Sequence, residues 1–252
     1  MNDIIEQFKI EEEVYNCLNE YEKTHYQIEL FNRSLDYYTS RIKMLDFTNK
    51  ERVLDAGCGM GQWAIAISDL NKYVEGIDIH STRLLSGKSI AQSMNRKNIC
   101  FQYSATEELP FQNDTFDLIF CYGVFMFTDM KKTLKEFYRV LRPGGRVYIN
   151  SNTYGWYVHM LVDRGLRKRN LREIRNALKL ILRGLAGSQR NAMTSHGTLV
   201  RRFEKTGFKL MQDALEGCLV VNKAVARAEP IYKSYHYGLP AIREYLLEKP
   251  VI

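Results

Sequence analysis

Short apolar runs alternate with amphipathic stretches through the middle of this 252-residue chain. Runs rich in β-branched and aromatic residues predict five strands, at 52–56, 73–78, 99–103, 116–121 and 145–150. Helical patterns fill three of the intervals, at 62–70, 81–95 and 129–141. This alternation predicts an α/β fold, a doubly wound and mostly parallel sheet with helices on both faces. Apolar central strands agree, because parallel strands are covered on both sides.

The two ends of the chain extend this pattern. Residues 4–45 mix apolar and acidic positions without Pro or Gly, which predicts two or three N-terminal helices. A helix near 198–206 leads into two more predicted strands, at 208–215 and 218–225. With no internal repeat or low-complexity linker, we predict a single domain over 1–252. We divide it into an N-terminal helical segment 1–50, a core 51–152, a helical insertion 153–192 and a C-terminal part of the sheet with a tail, 193–252.

The first predicted strand runs directly into a glycine-spaced turn. Residues 53–61 read Val-Leu-Asp-Ala-Gly-Cys-Gly-Met-Gly, and the next predicted strand ends in Asp78. Glycine lets the backbone turn tightly and approach a ligand, and a carboxylate on the following strand can accept ribose hydroxyls. A dinucleotide fingerprint would need glycine where this chain has Gln62, and Asp55 would repel a pyrophosphate. The pattern therefore favours a nucleoside with a positive centre and an ammonium group, S-adenosylmethionine.

Four segments in order resemble the class I S-adenosylmethionine-dependent methyltransferases, in the group that includes the quinone-biosynthesis methyltransferases. They are 53–61, 76–79, 104–111 with 116–123, and 141–145, which reads Leu-Arg-Pro-Gly-Gly. The resemblance implies a Rossmann-like methyltransferase fold, with a seven-stranded sheet whose last strand is antiparallel. It also implies S-adenosylmethionine as cofactor, S-adenosylhomocysteine as product and a substrate-covering insertion after the fifth strand.

The resemblance assigns the cofactor contacts to the ends of the first four strands. Asp55 would face the ammonium group, Asp78 the ribose hydroxyls and Ile79 the adenine. The other predicted cofactor contacts are Gly57, Cys58, Gly59, Gly61, Ala105, Thr106 and Cys121. Many relatives carry Asp at the position of Ala105, so here backbone groups of Ala105 and Thr106, or a neighbouring side chain, would read the adenine edge. No proline flanks Cys121, which favours a small strand-end residue over a covalent nucleophile.

Residues 161–190 hold nine Lys or Arg against Asp163 and Glu173, and this excess of seven equals the formal net charge of +7. Leu and Ile recur there at helical spacing, while Arg172, Arg175 and Lys179 fall on another face, which predicts a basic amphipathic helix. Three interpretations stay open: a solvated face, a lid that binds an anionic acceptor, or a surface for an anionic membrane or RNA. The stretch lacks interleaved aromatic residues, which weakens the single-stranded nucleic acid version.

Fewer features of the sequence indicate the methyl acceptor. The residues predicted to contact the substrate are Tyr154, Trp156, Tyr157, Arg172 and Arg175. An aliphatic hydroxyl acceptor would need a base, and His159 and His196 are the candidates because their segments can face the acceptor. The Asn-Pro-Pro-Tyr type sequence of the enzymes that methylate amino groups of adenine or glutamine is absent.

Composition limits the class of protein and the cellular compartment that we expect. Hydrophobic content of 45% and charged content of 26% are ordinary for a globular protein. The longest uncharged apolar run, 118–127, is far shorter than the roughly 20 residues that span a bilayer. The N-terminus is acidic where a secretory signal would be basic. Five scattered cysteines without a CxxC pair predict neither a disulfide framework nor a metal site. We expect a cytoplasmic protein.

The combined prediction is a cytoplasmic S-adenosylmethionine-dependent methyltransferase. Its first expected reaction is O-methylation of a small or lipid-linked hydroxylated acceptor, with an acidic sugar or a polyketide-like molecule as options. No stable nucleic acid partner is expected. The alternatives are an RNA or protein methyltransferase that holds a polyanion with residues 161–190, and a non-catalytic scaffold that binds the cofactor. Gln62 and Asp55 disfavour a nicotinamide dehydrogenase.

Overall fold

A seven-stranded sheet organises the chain, and the computed structural model describes residues 8–27, 33–188, 190–225 and 229–251. The sheet strands are β1 (Arg52–Ala56), β2 (Tyr73–Asp78), β3 (Ile99–Tyr103), β4 (Phe116–Cys121), β5 (Leu141–Asn152), β6 (Lys209–Leu215) and β9 (Ile242–Glu248); β7 (Tyr235–His236) and β8 (Leu239–Pro240) form a separate hairpin. The order in the sheet is β3-β2-β1-β4-β5-β9-β6. β9 runs antiparallel to both of its neighbours, β5 and β6, and the other pairings in the sheet are parallel. The predicted α/β sheet with an antiparallel last strand is confirmed.

The helices cover both faces and extend the N-terminal side. They are α1 (Glu12–Asn16), α2 (Glu20–His25), α3 (Leu35–Met44), α4 (Gln62–Ser68), α5 (Ser81–Ser93), α6 (Met130–Val140), α7 (Tyr154–His159), α8 (Leu171–Leu185) and α9 (His196–Thr206). The predicted helices of the core and the helix near 198–206 are confirmed to within two residues at either end. A π-helical segment, Met160–Leu166, joins α7 to α8 and completes the predicted helical insertion after β5. The parts of the N-terminal prediction at 4–7 and 28–32 lie outside the described residues.

The alternation of side chains along each strand explains why helices are needed on both faces. Successive residues of a strand point to opposite sides. Val53 and Phe120 belong to one buried cluster with α3 and α4, whereas their neighbours Leu54 and Ile119 belong to another with α6 and α9. The central strands therefore carry continuous apolar sequence, because neither of their faces meets water.

The strand predicted at 218–225 is wrong. Those residues form turns and loop, and the seventh strand of the sheet is β9, which inserts between β5 and β6. Charges at Arg243 and Glu244 interrupt its apolar pattern, although Glu244 is completely buried beside Arg41. The strand is stable there because a partner from α3 compensates the buried carboxylate. The C-terminal segment thus forms the interior of the sheet, and the proposed domain divisions stay a prediction.

The topology fixes where a ligand can bind. In open α/β sheets ligands bind beyond the carboxyl ends of the strands, where the strand order reverses, and here that point lies between β1 and β4. The loops after β1 to β5 meet at this edge. Within the ranges given above, none of the helices combines the length and apolar character needed to cross a bilayer.

Candidate functional site

A cavity of about 870 Å³ opens at the carboxyl ends of β1 to β5. Its walls come from the loops at 57–59, 78–80, 104–108 and 122–124, with further side chains from outside the sheet. Most small-molecule sites measure about 300–1,000 Å³, so the cavity is large enough for two reactants. Of the predicted cofactor contacts, those that line it are Gly57, Cys58, Gly59, Asp78, Ile79, Ala105 and Thr106.

The glycine turn after β1 forms the floor of one half. Gly57 has φ of 82°, and a Cβ there would lie 2.4 Å from a methyl carbon of Val124, so this position cannot hold a larger residue without displacement. Gly59 has φ of 56°, but a Cβ there would meet nothing within 4 Å. The space over Gly59 is therefore open to a ligand. Gly61 starts α4 and lies outside the cavity lining.

Asp78 lies at the rim, where β2 ends. Its Oδ2 accepts a hydrogen bond from the Gly59 N–H at 3.0 Å, and its Oδ1 accepts one from the His80 N–H at 2.9 Å. Oδ1 also lies 2.9 Å from His80 Nδ1. These contacts fix the carboxylate between two loops, and Oδ2 keeps a lone pair for a ligand hydroxyl. The neighbouring Ile79 is 55% exposed and supplies an apolar surface beside it. A carboxylate and an apolar side chain in this order suit a ribose with its attached base.

Asp55 lies beneath the floor, at the end of β1, and does not itself line the cavity. Its side chain is buried, and Oδ2 has no hydrogen-bond partner among the described residues. Burial, and then the charge of Asp78, raise the pKa of Asp55 well above its usual range. A carboxyl group in this state would regain its charge when a cation binds above it.

The loop after β3 closes this half. Ala105 offers no polar side-chain atom, and the Thr106 hydroxyl lies 3.0 Å from the Thr133 hydroxyl. The contact of an adenine edge with backbone groups of Ala105 and Thr106, or with a neighbouring side chain, stays a prediction. Cys121 lies below the lining, and burial raises the pKa of its thiol. A thiol without thiolate character does not support the alternative of a covalent nucleophile.

Aromatic side chains line the other half. Trp63 and Tyr122 have ring centroids 4.9 Å apart, Tyr122 and Tyr232 lie nearly parallel at 6.5 Å, and Trp156 meets Tyr232 edge-on at 6.1 Å. Only Trp156 was among the predicted substrate contacts. Trp63 directly follows the glycine turn and could have been suspected, whereas Tyr232 lies in a segment without any periodic pattern.

A buried ionic cluster supports this wall. The Tyr122 hydroxyl donates to Glu216 Oε1 at 2.7 Å, and the Tyr148 hydroxyl donates to Glu244 Oε1 at 2.8 Å. Arg41 hydrogen-bonds to Glu244 and lies 3.9 Å from Glu216. One guanidinium thus faces two buried carboxylates. Burial, and then the charge of Glu244, raise the pKa of Glu216 to about 7.

Charged side chains of both signs line the cavity. Glu107, Glu108 and Asp129 line the half near Asp78, together with Asp78 itself. Arginines that line the cavity from segments outside the parallel strands are Arg33, Arg83, Arg164 and Arg190. Arg190 pairs with Asp129 through a backbone bridge, so positive and negative side chains lie side by side at this part of the cavity.

The predicted catalytic and substrate residues that lie outside the cavity lining are Tyr154, Tyr157, His159, His196, Arg172 and Arg175. Tyr157 is buried and donates to the Ala192 carbonyl at 3.2 Å. His159 Nδ1 lies 2.7 Å from Asp163 Oδ2, and His196 Nδ1 lies 3.3 Å from the Tyr245 hydroxyl. Their contacts with substrate or protons stay predictions that these positions do not support.

Residues 11–154 match the family model described as the ubiE/COQ5 methyltransferase family. The chain belongs to this family. Membership confirms the resemblance to the S-adenosylmethionine-dependent methyltransferases that the four sequence segments indicated. Of those segments, 53–61, 76–79 and 104–111 with 116–123 lie at the carboxyl ends of β1 to β4, whereas 141–145 begins β5.

Among the curated relatives of this ubiE/COQ5 family member is the uncharacterized methyltransferase YcgJ of Bacillus subtilis, 37% identical over 106 residues, which are 42% of either chain. Another is the ubiquinone/menaquinone biosynthesis C-methyltransferase UbiE of Geotalea daltonii, 33% identical over 132 residues, or 48% of this chain and 56% of the relative. The chain spans about half the length of the curated relatives it matches.

Solved structures agree with the fold over more of the chain. A geranyl diphosphate methyltransferase in complex with S-adenosylmethionine superposes with a TM-score of 0.63 at 13% identity and covers 95% of both chains. The YcgJ protein of Bacillus subtilis gives a TM-score of 0.57 at 22% identity, over 86% of this chain and 99% of that one. At these identities the superpositions show that the ubiE/COQ5 family member has a methyltransferase fold.

Proposed function

We propose that this protein transfers a methyl group from S-adenosylmethionine to a small, flat, hydroxylated acceptor that carries a negative charge. The observation that carries the proposal is the divided cavity. Asp78 and an open glycine turn form the half over β1 to β3, aromatic rings form the other half, and four arginines also line the cavity. The family membership supports the donor, and the wall over β4 and β5 supports the acceptor.

The described residues fit S-adenosylmethionine at the first half. Asp55 has an unpaired buried oxygen and a raised pKa, so a cationic ligand would stabilise its carboxylate. Gly59 leaves room for close approach, and Asp78 is held at the rim by two backbone donors. When bound, S-adenosylmethionine would supply an electrophilic methyl: the acceptor oxygen would form the O–CH3 bond as the S–CH3 bond breaks, S-adenosylhomocysteine would leave, and the hydroxyl proton would pass to water.

The acceptor half would position the substrate rather than activate it strongly. Trp156 and Tyr232 offer ring faces and edges to a flat molecule, and the buried Trp63 packs behind them against Tyr122. Tyr122 already donates to Glu216, so its oxygen can accept a hydrogen bond from an acceptor hydroxyl. Arg190 would attract an anionic group at the cavity rim. Orientation and exclusion of water account for much of the rate of such displacements.

Methylation at oxygen is our first choice, and methylation at carbon is the second. The acceptor half offers hydrogen-bond partners for a hydroxyl, namely Tyr122 and Asn152. The Geotalea daltonii relative is named as a C-methyltransferase, which favours methylation at carbon. The two products differ in the chemical shift of the new methyl group, so proton NMR of the product distinguishes them.

The decisive experiment screens flat hydroxylated acceptors, with and without a carboxylate or phosphate, for formation of S-adenosylhomocysteine. We expect turnover with charged acceptors that falls sharply for the neutral analogues. Cofactor binding without turnover of any acceptor would favour the non-catalytic scaffold. Absence of cofactor binding in calorimetry would refute the proposal. Turnover of RNA with a steep salt dependence would favour the polyanion alternative.

We further propose peripheral contact with an anionic membrane through α8. Leu171, Leu182 and Leu185 are 79%, 63% and 74% exposed and share one stripe of this helix. Arg172 and Arg175 flank the stripe and are exposed as well. An exposed apolar stripe beside cationic side chains is typical of helices that lie on membrane surfaces.

Vesicle flotation tests this contact. We expect binding to vesicles that contain about a third phosphatidylglycerol and none to pure phosphatidylcholine, since binding needs both the apolar stripe and attraction between the arginines and anionic lipid. Reversal of Arg172 and Arg175 to Glu should abolish binding. The matched control reverses Lys131 and Lys135 on α6, which are exposed and lie on a different helix. Equal loss in both variants would mean that only net charge matters.

A further inference from the structure

Two histidines and a carboxylate converge where α7 meets the β7–β8 hairpin. His159 ends α7, Asp163 follows one turn later in the π-helical segment, and His236 lies on β7. One ligand atom from each residue lies within 4.8 Å of the other two. The imidazole rings of His159 and His236 stack with centroids 4.1 Å apart. The three side chains thus form one group although they come from distant parts of the chain.

Backbone packing fixes this arrangement. The hairpin rests directly on α7 at Gly155, where a Cβ would lie 2.3 Å from the Leu239 carbonyl oxygen. Leu239 pairs with His236 across the hairpin. The position of His236 over His159 therefore follows from the close approach of two backbone segments.

Asp163 is oriented by its neighbours. Its Oδ1 accepts hydrogen bonds from the Tyr237 hydroxyl at 2.6 Å and from Arg167 Nη1 at 2.7 Å. Its Oδ2 faces His159 Nδ1 at 2.7 Å. One oxygen is thus held from outside while the other points to the imidazoles. Metal-binding carboxylates are commonly held by outer hydrogen bonds of this kind.

We propose that His159, Asp163 and His236 bind a divalent transition metal ion, with Zn²⁺ as the ion that best suits them. Two imidazoles and one carboxylate match zinc, whereas Mg²⁺ and Ca²⁺ prefer oxygen ligands only. Bond lengths of about 2.0–2.2 Å require that the ligand atoms close to about 3–3.5 Å, which side-chain rotation can supply. A fourth position stays open for water. The sequence predicted no metal site, because its five cysteines lack the spacing of metal ligands.

The bound ion would join the insertion to the C-terminal hairpin. Trp156 precedes His159 by one turn, with ring centroids 5.9 Å apart, and Trp156 lines the cavity. Zinc would therefore stiffen the wall of the cavity without contacting the reactants. The proposal does not depend on the proposed function.

Metal titration of the full chain tests the site. Protein stripped with a chelator should take up one Zn²⁺ in calorimetry and melt at a higher temperature with zinc, because the ion binds the folded state. Co²⁺ should give visible d–d absorption without a sulfur charge-transfer band. The missing band matters because Cys17 and Cys100 are exposed and could bind metal adventitiously. Uptake well below one ion, or a thiolate band, would overturn the proposal.

Variants separate this site from nonspecific binding. His236→Ala and Asp163→Asn should weaken zinc binding by at least about 100-fold, and Tyr237→Phe by about tenfold, since an outer-shell partner alone is worth about 10- to 100-fold. His196→Ala removes a histidine elsewhere and should leave the affinity unchanged. Affinity for S-adenosylhomocysteine reports whether each variant is folded. Equal zinc affinity in the His236→Ala, Asp163→Asn and His196→Ala proteins would refute the site.

Discussion

Replacement of Glu216 by Gln tests the buried ionic cluster behind Tyr122. Arg41, Glu216 and Glu244 are almost completely buried, so a single guanidinium faces two carboxylates in a medium of low dielectric constant. Neutrality then favours one proton on the pair, and burial raises the pKa of Glu216 from 4.5 to about 7. The native state holds a proton that the unfolded chain releases at lower pH.

The sign of the effect follows from this proton. As pH rises from the unfolded pKa of 4.5 through the folded value of about 7, the native state loses stability relative to the unfolded chain. The full shift corresponds to about 3 kcal/mol, of which about 2–3 kcal/mol develops between pH 5 and pH 8. Glu216→Gln removes this dependence and keeps an oxygen that can accept the Tyr122 hydroxyl. The variant should therefore gain stability relative to wild type as pH rises.

Urea denaturation at pH 5 and pH 8 measures this gain as a double difference, in which all other titrating groups cancel. Glu204→Gln, on the exposed side of α9, is the matched control and should change stability equally at both pH values. If the stability difference between Glu216→Gln and wild type is the same at pH 5 and pH 8, Glu216 titrates normally and the cluster is not neutralised as we infer.

Three other perturbations probe the cavity. Asp78→Ala should weaken S-adenosylmethionine binding more than tenfold in calorimetry, which is at least about 1.4 kcal/mol; unchanged affinity would mean that the ribose binds elsewhere. Gly57→Ala should destabilise the fold by about 1–2 kcal/mol from its positive φ alone. The double variant with Val124→Ala should recover only the additional steric part, because Val124 is the neighbour that a Cβ at 57 would meet. Arg190→Glu should raise KM for a charged acceptor severalfold and leave cofactor affinity unchanged, and an equal change for neutral acceptors would argue against charge recognition.

The sequence predicted the parts of the fold that are locally encoded. Strands β1 to β4 are apolar runs bounded by turn residues, and the glycine turn has a spacing that its ligand geometry requires. The sequence did not predict β9, because Arg243 and Glu244 interrupt its apolar pattern. Glu244 is compatible with burial only because Arg41 reaches it from α3. A contact between residues so far apart in the chain leaves no local signal.

The candidate site divides in the same way. Gly57, Gly59 and Asp78 lie in continuous motifs, and the cavity contains all three. His159 and His196 were predicted as bases because their segments can face the acceptor, but the sequence does not show where each side chain points. Their segments approach the cavity while the side chains pair with Asp163 and Tyr245 outside it. Sequence could indicate the region of the acceptor but not which side chains face it.

The family match covers the cofactor half of the cavity and part of the proposed acceptor half, including Tyr122 and Asn152. The match ends at residue 154, and it contains the glycine turn and Asp78. Trp156, Arg190 and Tyr232 lie beyond it and line the proposed acceptor half. The curated relatives match less than half of this chain. Their acceptors are therefore a weak guide to the acceptor of this protein. The substrate should instead be sought from the chemistry of the insertion and the C-terminal segment, which offer aromatic faces and positive charge.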